Sequence, residues 1–180
     1  RKIDPQGNVS TILSAPNCKK NGANTWIDCY RDGPINQAQA SGIGSIALDA
    51  NGNLFFTSSD LDPRYKAVRT IGKDNIVRTL VNRRTSSYTY NGADISPQKI
   101  IISPTGKLYF LTPRGVTHID NNGSYSYLDN FVYYNYHRVL LTKSGLFLTS
   151  TESILSIYNW QNSSKSRLAG SGTKGYKDGV

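Results

Sequence analysis

Six side chains of this chain could together hold an anion: Arg64, Tyr65, Lys99, Arg114, His137 and Arg138. Guanidinium and ammonium groups donate charge-assisted hydrogen bonds to carboxylate, sulfate or phosphate, and the tyrosine adds a flat apolar face. An ordinary solvated rim would use the same residue types. Acid–base or metal chemistry has far less to work with. The two histidines, His118 and His137, stand singly. Neither belongs to a His-x-His or His-Glu-x-x-His pattern, and no Gly-x-Ser-x-Gly elbow accompanies the many serines. No cofactor and no metal site are expected.

Other residues point outward in the same way. Tyr125, Tyr127, Tyr133, Tyr134 and Tyr136 crowd a short stretch with Phe131. Such a surface suits sugar stacking or protein contact, and β propensity accounts for part of it. Three glycosylation sequons occur, at Asn8, Asn122 and Asn162. The formal charge of +9 favours anionic partners or serves solubility, and it is spread along the chain rather than gathered into a basic arm.

Cys18 and Cys29 share one polar stretch. Joined, they would close a small ring worth about 2–3 kcal/mol and place the chain in an oxidising setting. Unjoined, they are two thiols in a loop. No second cysteine pair or nearby histidine completes a metal site.

The elements that must position these residues form a repeat. Segments beginning at Ile3, Ile71, Ile119 and Ile157 share one pattern, and three of them follow a second shared pattern that begins at Ile46, Ile100 and Val139. Each unit reads as four short strands. The first is apolar, a turn at Asn51-Gly52, Thr105-Gly106 or Ser144-Gly145 leads to the second, and the third ends at the shared isoleucine. Asn-Gly predicts a two-residue hairpin turn with positive φ angles. Third strands are predicted at 67–71, 115–119 and 153–157. From that isoleucine to the last apolar residue of the fourth strand is nine positions in three copies and eleven in the last. A four-stranded unit recurring every 40–50 residues or so predicts an all-β fold, a β-propeller of four-stranded antiparallel blades.

By this register residues 1–12 are strands three and four of one blade, and 13–45 form an inter-blade loop carrying the cysteines. Blades follow at 46–80, 98–128 and 137–168, and 169–180 begin the next loop. The six candidate ligand residues then fall in loops that enter first strands or join strands two and three. About three and a half blades is fewer than a closed ring needs, so the remaining blades are expected from the same polypeptide or another copy. The first residues are charged, and methionine is absent throughout. The chain therefore reads as processed or as part of a longer polypeptide. No apolar run is long enough to span a membrane.

The runs RKIDPQGNVSTI, GSIALDANGNLFFTSS, CYRDGPINQAQASGIGSIALD and LAGSGTKGYKDGV resemble NHL repeats. The acidic residue that the family places after its aromatic strand is here Ser58, Thr112 or Ser150, and the aspartate closing the first strand survives only as Asp49, with Ser103 and Thr142 elsewhere. Hydroxyls can stand in for carboxylates as turn caps. The resemblance implies a propeller in which six blades are common. It implies a non-catalytic recognition module, secreted or at the cell surface, binding protein or anionic glycan through its loop faces. Two other activities of such propellers are weighed beside it. A metal-assisted amidating lyase would need converging histidines, of which only His137 beside Arg138 is at hand. RNA binding would need free thiols and a continuous basic face.

Overall fold

The computed structural model describes residues 1–13, 19–20, 22, 26–27, 30–59, 66–82, 99–103, 106–112, 115–119, 125–127, 138–142, 146–150, 155–159 and 164–170. All described regular structure is β. Two compact units, 1–100 and 101–180, divide the chain.

In the first unit, β1 (Lys2–Ile3) and β2 (Val9–Ser10) form a hairpin, as do β3 (Lys19–Lys20) and β4 (Trp26–Ile27). The main sheet contains β5 (Gly33–Pro34), β6 (Ile46–Leu48), β7 (Leu54–Ser58), β8 (Ala67–Ile71) and β9 (Ile76–Asn82) in the order β5-β9-β8-β7-β6. The second sheet comprises β10 (Lys99–Ile102), β11 (Leu108–Thr112), β12 (Gly115–Ile119) and β13 (Tyr125–Tyr127). The third comprises β14 (Arg138–Leu141), β15 (Leu146–Ser150), β16 (Leu155–Asn159) and β17 (Ser164–Ala169). Both follow chain order. These antiparallel meanders are the blades of a β-propeller.

One turn design is used repeatedly. Asp49 and Asn53 bracket the β6–β7 turn, which is closed by the Gly52 N–H donating to the Asp49 carbonyl at 3.1 Å. The Asn53 backbone N–H and side-chain amide both donate to the Asp49 carboxylate at 2.8 Å. Only Gly52 has positive φ, at 82°. The predicted two-residue turn is thus a longer one with a single left-handed glycine, because the aspartate side chain closes the wider loop. Asp4, Gly7 and Asn8 repeat this arrangement between β1 and β2. At Ser103 a hydroxyl takes over the carboxylate's part, accepting from the Lys107 N–H at 2.9 Å.

Burial pushes the Asp49 carboxyl up, but the bonds from Asn53 outweigh it, and the group lies below its ordinary value of 3.8. Its stabilisation is therefore complete above that value. It is lost as pH falls through the lower folded-state value.

Pairing fixes the register between blades. Leu54, two residues past its turn glycine, pairs with Ile71, as Leu108 does with Ile119 and Phe147 with Tyr158. The turn and first strand make Phe147 the counterpart of Leu54. Tyr158, not Ile157, therefore occupies the position of Ile71, and the last third strand, Leu155–Asn159, lies two residues later than the predicted 153–157. Leu80 and Leu168 are the residues skipped by the ladders in β9 and β17, so this repeat position carries a bulge in both blades.

The register also makes Arg69, Thr117 and Ser156 equivalent. Arg69 and Thr117 are both fully buried, but the Thr117 hydroxyl has no hydrogen-bond partner. An unpaired buried hydroxyl costs about 1–3 kcal/mol. Thr117→Val should therefore raise stability by about 1 kcal/mol, measured by urea unfolding. A destabilised variant would mean that the hydroxyl is satisfied.

Candidate functional site

The most highly built polar centre lies where the segment after β4 crosses the edge of the first complete blade. Arg69 is the third residue of β8 and faces Phe56 of β7 across the ladder. A lone guanidinium at 0 % exposure would be prohibitively costly, and this one is enclosed by acceptors. Its Nε and Nη2 donate to Asp32 Oδ1 at 3.1 and 2.7 Å. Nη1 donates to the Gln39 carbonyl and Nη2 also to the Arg31 carbonyl, each at 2.7 Å. The Tyr30 ring lies over the guanidinium, its centroid 4.4 Å from Cζ, and the Phe56 ring is 5.6 Å away. These are cation–π distances.

Asp32 is divided between two elements. While one oxygen receives Arg69, the other accepts from the Thr79 backbone N–H at 2.7 Å, and the Thr79 hydroxyl donates to Oδ1 at 3.0 Å. The Tyr30 hydroxyl hydrogen-bonds the Thr79 hydroxyl as well. Thr79 stands directly before the bulged Leu80, opposite Arg69. One arginine and one aspartate thus fasten residues 30–39 onto β8 and β9. The attachment lets Gly33 and Pro34 pair with Val77 and Ile76 as a fifth strand, and Arg31 bridge Gln39. Ala38 and Ala40 then join Phe56, Ile71 and Val77 in one core, with Ile12, Leu13, Ile35 and Leu54 against it.

Beyond Ala40 the chain turns into the first strand through Gly42, whose φ is 52°. A Cβ there would fall 2.1 Å from the Ser59 carbonyl oxygen, so only glycine fits. Ser59 N–H and hydroxyl both donate to the Gly42 carbonyl, at 3.1 and 3.2 Å. The Ser45 backbone N–H donates to the Thr57 hydroxyl at 2.9 Å, and the Ser45 hydroxyl accepts from the Ile100 N–H at 3.1 Å. The mouth of this blade is therefore lined by short hydroxyl side chains already engaged in holding the backbone.

Of the residues singled out for ligand binding, two lie in described strands. Lys99 opens β10 and is half-buried, and Arg138 opens β14 opposite Ser150. By register both stand where Ser45 stands, one residue before the apolar triplet of a first strand. Arg64, Tyr65, Arg114 and His137 lie outside the described residues, as do Cys18 and Cys29. Asn8 is the described sequon, and its amide is the group that grips Asp4. Asn122 and Asn162 lie outside. His118 pairs with Tyr109 across β12 and β11, with ring centroids 5.3 Å apart. Tyr125 and Tyr127 fall on β13, the outer strand of its blade. Among the described residues no three His, Cys, Asp or Glu side chains gather as a metal site would need.

Sequence reasoning missed the Arg69–Asp32 centre and the strand β5 inside the stretch read as a loop. The available signal was an arginine in the middle of an otherwise apolar strand, AVRTI, with an Asp-Gly pair upstream.

No family model matches this chain, and no curated protein does. Solved structures do. An auxiliary nutrient binding protein from Bacteroides thetaiotaomicron is similar over 89 % of this chain and 37 % of its own, at 12 % identity and a TM-score of 0.63. A chain of the nidogen–laminin complex is similar over 75 % of this chain and 51 % of its own, at 12 % identity and TM-score 0.56. A catalytically inactive virginiamycin B lyase from Staphylococcus aureus bound to quinupristin gives 74 %, 43 %, 12 % and 0.52 for the same quantities. The similar structures thus include binding proteins and an enzyme, and the likeness is one of fold. The chain spans between 37 % and 51 % of these three chains.

Breaking a buried pair by removing one partner costs about 3–5 kcal/mol. Because Asp32 is 41 % exposed, the lower end applies to Asp32→Asn and the upper to Arg69→Met. In a double-mutant cycle, urea unfolding should give the pair a coupling of about 2 kcal/mol. Additive losses would show that Arg69 is held by the carbonyls and rings alone.

Proposed function

We propose that this chain is part of an NHL-type propeller acting as a non-catalytic recognition module of a secreted or cell-surface protein. Its ligand is an anionic glycan or an acidic protein surface met by the loops that enter first strands and join strands two and three. The observation that carries this reading is the equivalence of Lys99 and Arg138. The repeat puts a cation at the same position of two blades, where the first blade has Ser45. Arg64, Tyr65, Arg114 and His137 belong to the same class of loops by sequence. The net charge of +9 adds long-range attraction for such a partner.

An extracellular setting is supported by the cysteines. Cys18 immediately precedes β3 and Cys29 follows β4 by two residues, while β3 and β4 pair Lys19 with Ile27. We read the cysteines as a disulfide tying off that hairpin. The further blades of the ring come from additional chain of the same repeat type, six blades being the family's common number.

Heparin serves as the probe. The chain should be retained on immobilised heparin at physiological ionic strength and released by salt, because exposed charges are screened within a Debye length of about 8 Å. The Lys99→Ala/Arg138→Ala variant should elute at distinctly lower salt with unchanged thermal stability. Co-elution of variant and parent, or flow-through of the parent, contradicts the proposed surface. Retention on single-stranded RNA but not on heparin would favour the intracellular reading instead.

A further inference from the structure

The outer strands of the first and last complete blades, β9 and β17, match residue by residue, yet they differ in exposure. With Ile71 and Tyr158 as counterparts, Val77 corresponds to Lys165, Thr79 to Arg167 and the bulged Leu80 to Leu168. On β9, Ile76 and Val77 pair with Pro34 and Gly33 of β5, and Thr79 and Leu80 are half-buried. On β17, Ser164, Ser166, Arg167 and Ala169 are exposed, and Leu168 is 52 % exposed. The stretches preceding the two blades also differ in length. Residues 11–45 separate β2 from β6, whereas 128–137 separate β13 from β14. An exposed outer strand offers backbone donors and acceptors to a further strand.

The cross-strand pair at the centre of the clasp is reversed between these blades. Arg69 on the third strand pairs with Thr79 on the fourth, whereas Ser156 on the third pairs with Arg167 on the fourth. The cation of the last blade therefore stands on its outer strand. It occupies the place of Thr79, whose backbone N–H donates to the Asp32 carboxylate at 2.7 Å. Arg167 Nη1 donates to the Gly170 carbonyl at 3.3 Å. A guanidinium has five N–H donors in a rigid fork, enough to keep that bond and bind a carboxylate as well. The strand reads Ser164-Lys165-Ser166-Arg167-Leu168-Ala169, with two cations and no acid.

We propose that β17 is a docking edge for an extended acidic segment of a partner protein. The segment adds to β17 as β5 adds to β9, with its backbone in the ladder and a carboxylate side chain against Arg167. The occupant is a strand because β5 already takes the corresponding edge in the first blade, where it brings the Asp32 carboxylate to Thr79. It is acidic because the charges of β17 are both positive. β14 and β17 are opposite edges of one sheet, so this contact does not rest on Arg138 or on the loop face proposed above.

The probe is a synthetic peptide of residues 30–39 carrying Arg31→Glu, titrated into the full isotope-labelled chain and followed by amide NMR shifts. Saturable shifts at the backbone of residues 165–168 are expected, with half-saturation below about 1 mM. Arg167→Ala in the chain, or Asp32→Asn in the peptide, should each weaken binding by about fivefold, as for an ion pair at a surface. Combining the two should cost little more than either alone. The peptide variant leaves the chain intact, so it carries the test even where Arg167→Ala disturbs folding. Absence of shifts at about 1 mM peptide overturns the proposal. So do shifts confined to β9, which would mean exchange with the resident β5, and so does equal affinity of both variants and the parent pair. Shifts at 165–168 with a heparin oligosaccharide but not with the peptide would make the edge a glycan site and likewise overturn it.

Discussion

A buried guanidinium dictates how the first complete blade is dressed. Arg69 lies in a strand whose neighbours are apolar, and the sheet alone offers it no acceptor. The charge can be buried only if acceptors come from elsewhere, and residues 30–39 bring them as Asp32 and two carbonyls. The interaction works in both directions. Half of that segment's side chains are charged or amide groups, so it has little apolar surface of its own. Tethered to Arg69, it supplies a fifth strand and the buried Ala38 to the core, with Ala40 directly after it. Untethered, it has little reason to adopt one path.

The backbone bulge belongs to the same constraint. Skipping Leu80 leaves the Thr79 N–H free to bind the Asp32 carboxylate, so the aspartate joins two strands through a single side chain. The bulge recurs at Leu168 in the last blade, where Ser156 replaces the arginine. The bulge is thus a property of the blade, and the clasp is a use made of it. The Asp-x-x-Gly-Asn turns follow a similar logic. A carboxylate at Asp4 and Asp49, and a hydroxyl at Ser103, do one job on one backbone frame.

Strand positions were legible because a period of two and a repeated turn leave strong marks. The third strands 67–71 and 115–119 stand where the pattern places them, whereas the last is displaced by two residues. There an isoleucine one residue early, Ile157, imitates the marker. Only pairing with Phe147 reveals Tyr158 as the true counterpart of Ile71. The Asn51-Gly52 turn was misjudged in kind, since a dipeptide rule takes no account of a carboxylate two residues earlier. The clasp was invisible for a different reason. Its members are 37 residues apart, and a charged residue in an apolar strand reads locally as noise. Of the candidate ligand residues, Lys99 and Arg138, read from the sequence as lying just before first strands, are the first residues of β10 and β14, and that position does not identify what they bind.

The central claim is that Arg69 and Asp32 hold residues 30–39 on the blade. Native-state hydrogen exchange resolved to single amides tests it most directly. In the parent chain the N–H groups of Arg31, Ile35, Gln39 and Thr79 should be protected, each having a carbonyl or carboxylate partner. In Asp32→Asn, protection at Arg31, Gln39 and Thr79 should fall by about tenfold or more, the effect of roughly 1.4 kcal/mol, while β7–β8 amides keep theirs at equal denaturant-corrected stability. Loss of protection spread evenly over the whole blade, or none at residues 31–39, would contradict the account.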